Sequence, residues 1–262
     1  MTKQMSKLPR TPALLTCAIG LWLAGSAATT LAQPVVVPTY NTGVDVNQIV
    51  LADAVADPHY TLLSVPSGPL SAPVAKTVGA PLYPLGGWAA VSSTSAWIVP
   101  TAPLDITPPS DQPSLPGSYA SSIGPVGTYV YRTTFDLSGY DLAAPVLLNG
   151  LWAADNTGLS IRLNSAGNPG TQGDLITAGF GNYNAVASFG FTDANFLLQS
   201  FTANSGFQPG LNTLDFVLHN EGGPTGLRVE YALEATPVPE PAAWALMASG
   251  ALALGLLRRR RQ

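Results

Sequence analysis

The stretch TYVYRTTFDL, residues 128–137, decides the fold class. Tyr129, Tyr131, Thr133, Phe135 and Leu137 fall on one face of it, and Val130, Arg132, Thr134 and Asp136 on the other. A period of two marks a half-buried strand, because successive strand side chains point to opposite sides. The pattern returns in LSIRLN (159–164), which sets Leu159, Ile161 and Leu163 against Ser160, Arg162 and Asn164. TLDFVLHN (213–220) directs Leu214, Phe216 and Leu218 to a core. GLRVEYALEA (226–235) buries Leu227, Val229, Tyr231 and Leu233 and shows Arg228, Glu230 and Glu234 to solvent. VLLNGLWAAD (146–155) is almost wholly apolar, as a strand covered on both faces would be.

Outward from these strands the same class holds. Gln48–Ala52 and Tyr60–Val65 are predicted as short strands around a turn at Asp57-Pro58, and NFLLQSFT (195–202) as another. Trp88 and Trp97 read as packing residues, and TPPSDQPSLPGS (107–118) as a surface loop. No stretch between residues 34 and 235 has a helical period, and 26 glycines with 24 prolines disfavour helix interiors. The expectation is an all-β, jelly-roll-like β-sandwich forming a single domain over 33–235. A signal helix would precede it and a C-terminal hydrophobic helix would follow.

Charge is segregated along the chain. Lys3, Lys7 and Arg10 lie at the start and Arg258, Arg259, Arg260 and Arg261 at the end. Four basic residues remain between them, with all fifteen carboxylates, for a net of −11. So acidic a body repels polyanions, and no nucleic-acid partner is expected. The first segment, 1–32, has a basic n-region, the apolar run ALLTCAIGLWLAG, and small residues before a cleavage site between Ala32 and Gln33. This is the layout of a secretory signal, with the Sec translocon and signal peptidase as partners. Cys17, the only cysteine, lies inside it, so the mature body would hold no disulfide.

The last segment, 236–262, runs from a proline-rich hinge through sixteen uncharged residues, 242–257, to the arginine cluster. As a helix those sixteen would rise about 24 Å, short of a hydrocarbon core of roughly 30 Å. The arginines would stay cytoplasmic and leave the body outside, in agreement with the signal peptide. The span is short for a lasting anchor, and the residues leave open a permanent anchor, the last helix of a soluble fold or a signal that is later removed.

Two resemblances extend these readings. YRTTFDLSGYDL, LWAADNTGLSIRLN and GLNTLDFVLHNEGGPTGLRVE are similar to the galactose-binding-like jelly-roll domains, over residues 40–235 and best over 128–232. That fold hosts sugar binders, lipid binders and structural modules alike. VPEPAAWALMASGALALGLLRRRRQ resembles the PEP-CTERM sorting signal, with Val238, Pro239, Glu240 and Pro241 followed by an apolar segment and Arg258–Arg261. The resemblance implies recognition by exosortase and removal near Pro-Glu-Pro. It also implies export across the inner membrane of a Gram-negative bacterium, transient anchoring through 242–257, and delivery to the cell surface or medium.

Chemistry is sparse. The nucleophile motif Gly-x-Ser-x-Gly is absent, and His59 and His219 are the only histidines. His219 and Asp215 share one strand face, read as solvated. Asp45, Asp53 and Asp57 lie in a loop region whose oxygens could hold a structural Ca²⁺, with turn capping as the plainer reading. Trp152, Asp155 and Asn156 are the candidate lip of a sugar-binding face, with turn chemistry and core packing as the plainer reading. The function expected is a non-enzymatic surface or matrix protein associated with exopolysaccharide or biofilm. The alternative is a carbohydrate-active enzyme or dedicated sugar-binding module.

Overall fold

The structure is a computed structural model that describes residues 32–67, 70–76, 89, 91–100, 124–165, 169–170, 173–177, 198–238, 249–250 and 259. Contacts divide the chain into residues 1–31, outside the described set, and 32–262. Eleven strands are described: β1 (Val35–Val37), β2 (Thr61–Ser64), β3 (Val74–Lys76), β4 (Trp97–Val99), β5 (Gly127–Asp136) and β6 (Leu147–Asp155). The remainder are β7 (Thr157–Leu163), β8 (Asp174–Thr177), β9 (Gln199–Ala203), β10 (Leu211–Asn220) and β11 (Gly226–Ala235).

They form two antiparallel sheets. One has the order β3-β4-β11-β6-β9, with β1 also against β11, and the other β2-β5-β10-β7-β8. Consecutive strands lie in different sheets everywhere except β3–β4 and β7–β8. Each face-to-face layer therefore draws on residues that alternate along every long strand. Phe216 on β10 is the hub of the core, with ring centroids 6.0 Å from Trp152 on β6, 6.0 Å from Phe201 on β9 and 6.4 Å from Tyr60. At about 1.5–3 kcal/mol per buried large apolar side chain, this layer is the main source of stability.

Tyr129, Tyr131, Phe135, Leu137, Ile161, Leu163, Leu214, Phe216, Leu218, Leu227, Val229, Tyr231 and Leu233, the inward positions of the period-two pattern, all belong to the core. Leu159 is a correction: it is 39% exposed. The β7–β10 register shifts there, Val217 opposing Ser160 and Leu218 opposing Gly158, so Leu159 is an extra residue turned out of the sandwich. Gln48–Ala52 is a second correction, reduced to a single bridge between Val44 and Val50. The Asp45 carboxylate takes the Asn47 and Ile49 N–H groups at 2.8 and 2.9 Å, and Gln48 has φ 64°, so the segment turns instead of extending.

Neither flanking helix finds support among the described residues. Residues 1–31, 239–248 and 251–258 lie outside them, as do Trp88 and the loop 107–118. Ser249, Gly250 and Arg259 are helical, and among the described residues no helix is long and apolar enough to cross a membrane.

Candidate functional site

Both outer sheet faces carry buried charge. On the five-stranded sheet, Asp215 is fully buried, where the strand pattern had suggested a solvated face. Arg132 on neighbouring β5 holds it through Nε at 2.6 Å and Nη2 at 2.9 Å, and the Gly170 N–H adds a third bond at 3.0 Å. Arg132 also donates to the Ser165 carbonyl, 2.9 Å away, which ties the segment after β7 over this face. Asp215 is thus committed to Arg132, not to His219.

On the six-stranded sheet, Arg228 is buried where exposure was expected. The segment before β4 folds over it: Arg228 donates to Ser95 Oγ at 2.8 Å, to the Ala89 carbonyl at 3.1 Å and to Glu230 Oε1 at 2.8 Å. Ser95 and Ser92 donate to the same Glu230 oxygen at 2.6 and 3.1 Å. Burial pushes the Glu230 carboxyl up, but the bonds from Ser95, Arg228 and Ser92 together outweigh it and hold the group below its ordinary value. Glu230 is therefore a carboxylate with a fixed orientation.

It borders an open groove of about 820 Å³. Asn41, Thr94, Asn149, Ser200 and Thr202 supply amides and hydroxyls to the lining, and Leu151 and Ile176 an apolar margin. Thr202 Oγ1 donates to the Asn149 side chain at 2.9 Å, and Asn41 is held between the Thr94 carbonyl and the Tyr231 N–H, both at 2.9 Å. Burial raises the Tyr231 phenol to about 12, so it is no base near neutrality. Glu230 is the single carboxylate among the described lining residues. Such a groove has acceptors and donors for hydroxyl-rich ligands. Sequence reasoning missed it, because its walls come from segments far apart in the chain.

The other candidates have structural duties. Trp152 is 1% exposed and packs on Phe216, so its face is not offered to a sugar. Asp155 and Asn156 are buried in the turn after β6, where Asn156 Oδ1 accepts the Glu221 N–H at 2.8 Å and the Asp155 carbonyl accepts Thr225 Oγ1 at 2.8 Å. These bonds join the β6–β7 and β10–β11 turns at one pole of the sandwich.

The aspartates considered for Ca²⁺ do not converge. Asp45 caps its own turn, Asp53 meets Lys76 at 3.1 Å, and buried Asp57 accepts from Gly43, His59 and Tyr60 at 2.7, 2.8 and 3.2 Å. Among the described residues no group of three metal-ligating side chains is present.

The opposite pole holds the join to the tail. The Asp141 N–H donates to the Thr236 carbonyl, and the Val238 N–H to the Gly139 carbonyl, each at 2.8 Å. Tyr140 and Pro237 form a bridge between these bonds. The last strand thus passes into the tail with no spacer. Pro239, Glu240 and Pro241 lie outside the described residues, as do Arg258, Arg260 and Arg261.

The fold and this join define a class: an all-β sandwich whose final strand leads straight into a short C-terminal segment. That segment, residues 237–261, matches the PEP-CTERM protein-sorting motif. The motif implies an exosortase as processing partner, and export with processing at the membrane in Gram-negative bacteria. No curated protein and no solved structure matches the chain.

Proposed function

We propose that the chain is a non-enzymatic protein of the cell surface or extracellular matrix. Its galactose-binding-like, jelly-roll body is exported through the Sec route and freed from a transient membrane tether when exosortase removes the tail. The carrying observation is the sorting motif at 237–261, joined without a linker to the last strand of the sandwich. In the extracellular layer the body associates with polysaccharide through the groove beside Glu230. The groove's amides and hydroxyls suit a hydroxyl-rich ligand, and a single carboxylate among its described lining residues favours binding over hydrolysis.

Mass spectrometry of the exported protein tests the sorting reading. Product ending near Pro239–Pro241 is expected in a strain with active exosortase, and product still carrying 242–262 would defeat it. For the body, neutral glycans should bind wild-type protein and bind Glu230→Gln more weakly, with no turnover by either. Turnover abolished by Glu230→Gln would establish an enzyme instead.

A further inference from the structure

Both ends of the body leave the sandwich at one pole. Val35 pairs with Ala235, Leu147 with Glu234 and Leu211 with Asp136, and Val238 is bonded to Gly139. The signal-cleavage bond expected after Ala32 is therefore only two residues from Val35, at the same pole as the sorting motif. Large apolar side chains are exposed there from both sheets: Val35 43%, Val36 66%, Leu147 39%, Leu211 60% and Val238 52%. Singly such residues are ordinary on a surface, and what distinguishes these is that they stand beside the point where the tail leaves the body.

Chain length limits what that surface meets. From pinned Val238 to Ala242, the first residue of the apolar tail segment, there are four residue steps, at most about 14 Å of extended chain. While the tail is in lipid, the pole cannot stand farther off. The charged groups on its segments are Asp136, Asp141 and Glu234, with Asp174 beside Gly206, and residues 33–38, 136–147, 204–212 and 233–238 contain no lysine or arginine. An anionic surface is thereby disfavoured, and a zwitterionic one fits.

We infer that this pole is a membrane-docking face, resting through Val35, Val36, Leu147, Leu211 and Val238 in the headgroup layer of zwitterionic lipid until the tail is cut. Apolar side chains seated on an interface sink roughly 5–10 Å into it, within the reach the tail allows. Docking turns the pole with the Asp155–Asn156 turn away from the membrane. It ends with tail removal, because five scattered side chains without the tether give weak attachment. The inference rests on residues 237–261 being a membrane-processed signal.

The test uses the mature chain with its tail, residues 33–262, which has no cysteine of its own. Single variants Leu147→Cys, Leu211→Cys, Val126→Cys at the far pole, and Ala248→Cys in the tail would carry an environment-sensitive fluorophore on phosphatidylcholine vesicles. Blue-shifted emission and quenching by nitroxide lipids are expected at 147, 211 and 248 and not at 126. Probes at 147 and 211 behaving like 126 while 248 is quenched would overturn the docking face and leave the sorting reading intact. An unquenched probe at 248 would sink both. Protection of 147 and 211 only when exosortase is added would assign the pole to the enzyme and overturn the lipid assignment. Stronger quenching with phosphatidylglycerol would overturn the zwitterionic preference.

Discussion

Arg132 and Asp215 form a two-pronged ion pair across β5 and β10, 2.6 and 2.9 Å long, with the carboxylate fully buried. Removing one member of such a pair strands the other charge away from water, whereas replacing both with apolar residues does not. Arg132→Met should therefore cost about 3–5 kcal/mol, and Arg132→Met with Asp215→Leu should recover most of it. Urea midpoints of the three proteins check this. A single variant as stable as wild type would mean that the pair is idle.

Asp57 and Glu230 should give opposite pH slopes. Burial is the main influence on Asp57 and outweighs the N–H bonds from Gly43, His59 and Tyr60, so its carboxyl is raised above 3.8. A raised acid contributes stability below its unfolded value and loses it as pH climbs through the folded value. The stability difference between wild type and Asp57→Asn should thus shrink as pH rises from near 3.8. Glu230 is held below 4.5, so its contribution is present above that value and lost as pH falls through the folded one. The wild-type advantage over Glu230→Gln should shrink toward acid. Equal slopes for the two variants would contradict the assignment.

Gly150 on β6 lies under the ring of Phe201, and a Cβ there would collide with that ring and press on the Glu230 carbonyl at 2.8 Å. Phe201 is itself wedged edge-on against Phe216, with an interplanar angle of 77°, and cannot simply swing away. Gly150→Val should destabilise by about 1–3 kcal/mol through overpacking. Phe201→Leu in the same chain should restore part of the loss, and a double-mutant cycle by thermal unfolding measures that coupling.

How far this architecture can be read from sequence depends on what covers each face. The inner faces of β5, β10 and β11 were legible because alternation and core membership are local consequences of one strand. The outer faces were not. Arg228 looks solvated until Ser92, Ser95 and Ala89 arrive from more than a hundred residues away, and Asp215 until Arg132 and Gly170 enclose it. The groove has the same origin, with Asn41, Thr94, Asn149 and Glu230 meeting across four segments. The sorting tail was legible throughout because its function lies in a linear pattern, whereas its pinning through Gly139 and Asp141 needed the fold.

Trp152 separates a packing role from a recognition role. Its ring lies 6.0 Å from Phe216 and is 1% exposed, so Trp152→Ala removes core volume and should cost about 3–5 kcal/mol. Trp152→Phe keeps most of the apolar contact and should cost much less. If the tryptophan only packs, Trp152→Phe should bind neutral glycans as wild type does, while Glu230→Gln, at the outer-face groove, should bind them less well. Glycan titrations beside urea unfolding would resolve this. Binding lost in a fully folded Trp152→Phe protein would move the recognition surface from the groove to the β6 turn.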